Sequence, residues 1–176
     1  RPHISIASRS PEINERTITV NGLSKTYAMT GWRLGYLTAP LWLTKRIIAF
    51  QSHTTSNATT FAQYGAMAAL RGDADAEVKL MIQKFAERCE LIYDLIIHIP
   101  GVTCTNPEGA FYLLCDISSF GIDSVEFADR LLAKEKLAVI PCKAFGADNC
   151  IRLSYACSEE NIRTAAKRLK EFCAAL

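Results

Sequence analysis

The spacing of apolar positions predicts five helices along the chain. Apolar residues recur every three or four positions, as they do along one face of a helix, and the patterned stretches are bounded by Gly, Pro, Ser or Asp. The longest stretch ends before Pro100. Its apolar face consists of Val78, Ile82, Phe85, Cys89, Ile92 and Ile96. The predicted helices cover 43–52, 59–70, 75–97, 124–133 and 159–176.

Shorter β-branched, apolar or alternating runs between these helices predict strands. In the run 32–37, alternation places Arg33 on the same face as Gly35, which has no side chain to block a ligand. Because strands and helices alternate, the chain is predicted to be an α/β protein, with an α+β arrangement after the long helix. The predicted strands cover 15–20, 32–37, 110–115, 137–140 and 150–156.

Composition and charge exclude several classes of protein. The net charge is +2, and lysines and arginines are mixed with acids, so no basic surface for nucleic acid or membrane is expected. No apolar run approaches the roughly 20 residues of a membrane span, and the first residues do not resemble a signal peptide. The odd number of cysteines, 7, and the absence of a Cys-x-x-Cys pair predict no metal site and a reducing compartment such as the cytoplasm.

One short segment holds reactive side chains close together. A strand is predicted to end at the Asn21-Gly22 turn, which would present Ser24 and Lys25 before the chain returns through Arg33. An amine forms an imine with an aldehyde, and a guanidinium binds phosphate through paired hydrogen bonds. By residue type alone, a lysine after a turn is more often a solvated surface residue.

The same segment carries a resemblance. From Ser24 to Tyr36 it reads Ser-Lys-Thr-Tyr-Ala-Met-Thr-Gly-Trp-Arg-Leu-Gly-Tyr, which resembles the pyridoxal-phosphate attachment motif of class I aminotransferases, in the aspartate aminotransferase superfamily of fold type I. The resemblance implies that Lys25 holds the cofactor as a Schiff base and transfers protons. It also implies that Arg33 binds the cofactor phosphate and that Ser24 helps to bind it. Gly22 stands where many members have a hydroxyl, so no contact is assigned to it.

A second arginine lies in the strand 150–156, on the face opposite Ile151. Residue type alone favours an arginine on the solvent face of a half-buried strand. The run Ile-Arg-Leu-Ser-Tyr-Ala resembles the family strand whose arginine binds the substrate α-carboxylate, which implies that role for Arg152. A similar resemblance, in Pro-Glu-Gly-Ala-Phe-Tyr, implies that Phe111 lines the substrate pocket, although a core aromatic is an equally good interpretation.

The resemblance also implies how the chain is organised. It predicts the C-terminal portion of a fold type I transferase that lacks most of the large-domain sheet. Residues 1–72 would belong to the large cofactor-binding domain, 73–98 would form a connecting helix, and 99–176 would form the small domain. The helix that starts at 56–60 would lie at the interface of a homodimer. The aspartate that pairs with the cofactor ring nitrogen is expected upstream of residue 1.

The implied activity is reversible transfer of an amino group between an amino acid and a 2-oxo acid, with pyridoxal phosphate as cofactor. The chain alone is expected to be inactive. The aspartate that pairs with the ring nitrogen makes the ring an electron sink, and that aspartate is expected upstream of residue 1. Two alternatives stay open. A carbon–sulfur lyase would use the same lysine and arginines, and a non-catalytic piece would act only in folding or dimerisation.

Overall fold

The computed structural model describes residues 3–176. The chain divides into two compact units, Arg1–Leu80 and Met81–Leu176. The division falls inside the long helix, Asp75–Ile97, whose predicted bounds are confirmed. The assignment of 1–72, 73–98 and 99–176 to a large domain, a connecting helix and a small domain stays a prediction.

The first unit combines short elements with two longer helices. Its two strands pair antiparallel, with Gly22 opposite Gly35 at one end of the ladder. Ser10 begins the first helix, since its hydroxyl accepts a hydrogen bond from the backbone N–H of Ile13. In chain order the elements are α1 (Pro11–Asn14), β1 (Thr19–Gly22), α2 (Leu23–Thr26), β2 (Gly35–Thr38), α3 (Leu41–Thr54) and α4 (Thr60–Arg71).

Two predictions in this unit are wrong. Asn21 and Gly22 do not form a turn, because both pair with β2 as part of β1. The second strand begins at Gly35 rather than at residue 32. Arg33 has a left-handed backbone, with φ 54° and ψ 45°, directly after a 3-10 turn. A left-handed residue interrupts the alternation of a strand, so Arg33 does not share a strand face with Gly35.

The two long helices of the first unit have the predicted type; α3 extends beyond its predicted bounds at both ends, and α4 is shifted by one residue. Helix α4 ends at Gly72, which is left-handed at φ 92°, as a C-terminal glycine signal predicts. Its predicted start at residue 59 is confirmed to within one residue, since the first helical residue is Thr60. The N-cap is Thr59, and Ser56 lies outside the helix with φ 62°, a conformation that a helix cannot include.

The second unit packs helices on one side of a four-stranded antiparallel sheet. The strand order is β3-β4-β6-β5. The strand predicted over 137–140 covers Ile140–Pro141 instead; an edge strand tolerates proline because one of its sides needs no donor. The elements, beginning with the long helix, are α5 (Asp75–Ile97), β3 (Thr103–Cys104), β4 (Tyr112–Asp116), α6 (Ser124–Glu135), β5 (Ile140–Pro141), β6 (Cys150–Ser154) and α7 (Glu159–Cys173).

The core of the second unit lies between the sheet and its helices. Strand β6 contributes Ile151 and Leu153, which are buried as the alternation predicts. Phe127 of α6 and Phe172 of α7 meet edge to face in the core, with ring centroids 5.1 Å apart. Ile82 was predicted on the buried face of α5 but is 60% exposed, because the apolar cluster of this unit begins only three residues later. Within residues 3–176, no helix is both long and apolar enough to cross a membrane.

Candidate functional site

Strand pairing in the first unit places three of the predicted site residues at one end of a ladder. Beyond the Gly22–Gly35 pair, the backbone N–H of Leu23 donates to the carbonyl of Leu34 at 3.3 Å. Helix α2, which carries Ser24 and Lys25, follows β1 directly, and Arg33 precedes β2. Leu23 is 2% exposed and anchors this end. Ser24, Lys25 and Arg33 therefore flank the same end of the β1–β2 pair.

The backbone between Lys25 and Arg33 is strained. Ala28 and Arg33 both have φ 54°, in the left-handed region, on either side of the 3-10 turn Thr30–Trp32. Each such residue without a glycine's freedom costs about 1–2 kcal/mol, and strain of this kind concentrates at functional sites. Gly35 is required for another reason. A Cβ atom there would lie 2.8 Å from the carbonyl oxygen of Asn21, so a side chain would push the two strands apart.

The polar groups at this end of the ladder can bind a phosphorylated carbonyl compound. Arg33 is exposed and donates one hydrogen bond, from Nη1 to the carbonyl of Thr30 at 3.1 Å. Within residues 3–176 it has no acidic partner, so most of its five donors remain for an anion. Lys25 is exposed and Ser24 is half-buried. An amine, a hydroxyl and a guanidinium with unused donors suit an aldehyde that carries a phosphate.

The second unit presents Arg152 between two aromatic rings. Its guanidinium carbon lies 4.2 Å from the ring centroid of Tyr112 and 5.2 Å from that of Phe145. Its Nε atom is buried without a hydrogen-bond partner. Within the described residues, no carboxylate forms an ion pair with it. Stacked rings hold the guanidinium plane in place, and the unpartnered donors favour binding of an anion.

Arg152 lies on the solvent-facing side of the sheet. Its cross-strand neighbours are Leu114 on β4 and Ile140 on β5. Leu114 is 51% exposed and Ile140 is 46% exposed, whereas Ile151 next to it in the chain is fully buried. The predicted facing of β6 is therefore confirmed, and the guanidinium has access to a ligand from the open side of the sheet.

Phe111 is half-buried and packs against other aromatic rings. It stacks on Phe85 of α5, with centroids 5.8 Å apart, and it contacts Tyr112 at 4.5 Å. Its carbonyl accepts a hydrogen bond from the backbone N–H of Tyr155 at 3.0 Å. These contacts make Phe111 a support for Tyr112, which in turn stacks on Arg152. Its direct role in lining a substrate pocket stays a prediction.

Two aromatic residues of this site were not assigned a role from the sequence. Tyr112 ends the segment Pro-Glu-Gly-Ala-Phe-Tyr that resembles the family, but no contact was predicted for it or for Phe145. The pairing of β4 with β6 would have revealed the first, because Tyr112 lies opposite Ser154 and on the same face as Arg152. Phe145 belongs to a 3-10 turn between β5 and β6, and no local pattern predicts that its ring turns toward Arg152.

Comparison with known proteins confirms the family that the sequence motifs resemble. The model of the family described as aminotransferase class I and II matches residues 2–169. The chain belongs to this aminotransferase family. Relatives of this chain include the aspartate aminotransferases of Geobacillus stearothermophilus, 43% identical over 97% of this chain, and of Bacillus subtilis, 41% identical over 98%.

Solved aminotransferase structures confirm the predicted fold class. The aromatic aminotransferase from Pyrococcus horikoshii superposes with a TM-score of 0.93 at 36% identity and is matched over 99% of this chain. The chain spans 44% of the length of the Geobacillus enzyme and 47% of the length of the Pyrococcus structure. The chain thus has the fold of part of a fold type I transferase.

Proposed function

We propose that this chain supplies the lysine and both arginines of a pyridoxal-phosphate-dependent aminotransferase, which moves an amino group between an amino acid and a 2-oxo acid. The observation that carries the proposal is the end of the β1–β2 ladder, where Ser24, Lys25 and Arg33 lie together. Membership of the class I and II aminotransferase family supports it.

The residues of the first unit suit the cofactor. Pyridoxal phosphate, when bound, supplies an aldehyde that condenses with amines and a ring that withdraws electrons. Arg33 would hold the phosphate of that group through its unused donors, and Ser24 would add a hydroxyl. Lys25 would be the amine that the aldehyde holds. Its nitrogen would also take the proton from the substrate carbon and return it, as general base and then acid.

In the second unit, Arg152 binds the substrate carboxylate in this proposal. The rings of Tyr112 and Phe145 hold the plane of its guanidinium, so two parallel N–H donors can point at one carboxylate. A fixed carboxylate limits the orientations of the substrate and thereby chooses which bond is broken. Phe111 supports Tyr112 from behind and is proposed as part of the pocket wall.

The amino acid is proposed to be L-aspartate. Two relatives that match nearly the whole chain at 41–43% identity are named aspartate aminotransferases. An aromatic amino acid is the second candidate, because the Pyrococcus horikoshii structure with a TM-score of 0.93 is named an aromatic aminotransferase. Assays with each donor and 2-oxoglutarate as acceptor distinguish the two candidates.

A homodimer in the cytoplasm is also proposed. Helices α3 and α4 expose large apolar side chains, which is typical of surfaces that associate with other protein surfaces. Examples are Trp42 (67% exposed), Phe50 (72%), Phe61 (73%) and Tyr64 (68%).

Because the chain spans less than half the length of its relatives, we propose that the 176-residue chain alone binds the cofactor without catalysing transfer.

Cofactor attachment tests the proposal directly. The chain is incubated with pyridoxal phosphate, reduced with borohydride and digested, and the labelled peptides are identified by mass spectrometry. We expect the label on Lys25 and its loss in Lys25→Ala. Lys45→Ala serves as the matched control, since Lys45 is an exposed lysine of the same unit. Equal labelling of exposed lysines throughout the chain contradicts the proposal and favours a non-catalytic role.

The carbon–sulfur lyase alternative is tested on the whole enzyme that carries these residues. A lyase releases pyruvate from a sulfur amino acid without any 2-oxo-acid acceptor. Without an acceptor, an aminotransferase releases at most one 2-oxo acid per active site, and it turns over repeatedly only when an acceptor is present. Turnover of cysteine conjugates without an acceptor, together with no transfer from aspartate or aromatic donors, would assign the lyase reaction instead.

A further inference from the structure

Two antiparallel strands of the second unit place two thiols opposite each other. Cys104 of β3 is the direct cross-strand partner of Cys115 of β4. Directly opposite residues point to the same face, with Cα atoms about 4.5–5.5 Å apart. A disulfide requires Cα atoms about 4.4–6.8 Å apart. The backbone therefore already holds these cysteines at the separation that a disulfide needs.

The two thiols differ in their access to solvent. Cys115 is fully buried, in the face of β4 that packs into the core. Cys104 is half-buried, and its two-residue strand is an edge strand of the sheet. A small oxidant therefore reaches the sulfur of Cys104 before it reaches the more deeply buried sulfur of Cys115.

We propose that Cys104 and Cys115 form a dithiol that a hydroperoxide converts into an intramolecular disulfide. The Cys104 sulfur attacks one peroxide oxygen, the O–O bond breaks, and a sulfenic acid and one water form. The Cys115 sulfur then attacks the Cys104 sulfur and releases a second water as the S–S bond forms. Two thiols lose two electrons and two protons, and one hydrogen peroxide is reduced to two waters.

Burial of Cys104 and Cys115 slows their oxidation, whereas the strand register decides which two thiols join. Burial raises the pKa of the Cys104 thiol and, more strongly, that of the Cys115 thiol, whose neighbours include the thiols of Cys142, Cys150 and Cys173. The thiolate is the reactive form, so oxidation at neutral pH is slow. Selectivity comes from the strand register, which presents one thiol directly to the other.

A second cysteine pair in the same sheet provides an internal comparison. The backbone N–H of Cys142 donates to the carbonyl of Cys150 at 3.0 Å, continuing the pairing of β5 with β6. Both cysteines are buried, with 1% and 8% exposure. Because this pair has no exposed first thiol, we expect it to stay reduced in the folded chain while Cys104 and Cys115 are oxidised.

Peptide mapping tests the proposal. The folded chain is treated with hydrogen peroxide, its remaining thiols are alkylated, and it is cut with a glutamate-specific protease. Cleavage at Glu108 separates Cys104 from Cys115 unless a disulfide joins the two peptides. We expect that joined pair, about 2 Da lighter than the sum of its two reduced peptides, and its release by dithiothreitol. Sulfinic acid on Cys104 without any joined peptide would overturn the proposal.

Variants and denaturant separate register from chance pairing. Cys104→Ser should abolish the cross-link of Cys115, whereas Cys157→Ser, which removes another half-buried thiol, should leave it unchanged. Oxidation in guanidinium chloride should give a mixture of pairings. If the folded chain, oxidised without guanidinium chloride, gives the same mixture, the register does not select the pair and the proposal is wrong. The proposal is also wrong if Cys115 still forms a cross-link in Cys104→Ser.

Discussion

The two units of the chain differ in how they treat large apolar side chains. In the second unit, Phe127, Leu131, Ile151 and Phe172 are at most 2% exposed and form one continuous cluster. In the first unit the buried residues are mostly alanines, and Leu23 is the largest side chain among them. Phe50, by contrast, is 72% exposed there.

The two units therefore differ in the contacts that stabilise them. The second unit buries a large apolar cluster of its own, so much of its folding energy comes from its own packing. The first unit has well-formed helices whose apolar surfaces remain open, and such surfaces gain energy only through further contacts. Lys25 and Arg33, which we propose bind the cofactor, lie in the unit with the smaller core, while Arg152 lies on the sheet of the other unit. The first of the four predictions below tests this contrast, and the other three test what stabilises the second unit.

The largest expected effect is truncation in the core of the second unit. Phe127→Ala removes a fully buried ring that packs on Phe120 and Phe172, and it should lower the free energy of unfolding by about 3–5 kcal/mol. Phe50→Ala in the first unit should change it by less than about 0.5 kcal/mol. Urea titration followed by circular dichroism measures both. Equal losses in the two variants would remove the distinction between the units.

A smaller loss is expected for a buried hydroxyl. The Tyr155 side chain is 1% exposed, and its hydroxyl donates to the carbonyl of Ala110 at 3.1 Å. Tyr155→Phe keeps the ring and leaves that carbonyl without its donor, which should cost about 1–2 kcal/mol. The same urea titration applies. Tyr93→Phe, at a half-buried tyrosine of α5, is the comparison, and a loss of equal size there would show that the Ala110 bond is unimportant.

Helix capping should contribute about 1 kcal/mol in the second unit. The Asp123 carboxylate accepts from the backbone N–H groups of Val125 and Glu126 at 3.0 and 2.9 Å and begins α6. Asp123→Ala leaves both donors to water and should lower the unfolding free energy by about 1 kcal/mol. Asp129→Ala, an exposed acid within the same helix, should have a smaller effect. If both substitutions cost the same, the loss reflects charge rather than capping.

The smallest expected effect depends on pH. Hydrogen bonds from the hydroxyl and the backbone N–H of Ser118, with one from Asn149, hold the pKa of Asp116 below its ordinary value. The folded state therefore binds this proton less readily than the unfolded state. The stabilisation is present above the unfolded pKa, about 4, and disappears as pH falls through the lower folded value. Asp116→Asn should reduce the loss of unfolding free energy at acid pH, as measured by urea titrations at successive pH values. An unchanged pH profile contradicts the prediction.

Local patterns predicted some parts of this fold better than others. The helix Asp75–Ile97 was predicted with its bounds because its periodicity and its end signals are all contained in its own residues. The left-handed backbone of Arg33 was missed, since nothing in an alternating run indicates that a non-glycine residue will adopt positive φ. The exposure of Ile82 was missed because a helical stripe predicts a direction, whereas burial requires a partner surface.

For the site, the sequence by itself determined which chemical groups are available and which family the segment around Lys25 resembles. It also determined the facing of Arg152, because alternation along one strand is a local property. Only the tertiary structure decided that Arg33 flanks the same ladder end as Lys25, and that Tyr112 and Phe145 stack on Arg152. Tyr112 reaches Arg152 through the pairing of β4 with β6, and no single stretch of sequence specifies that register. The other two arrangements depend on backbone turns whose conformation the side-chain pattern does not specify.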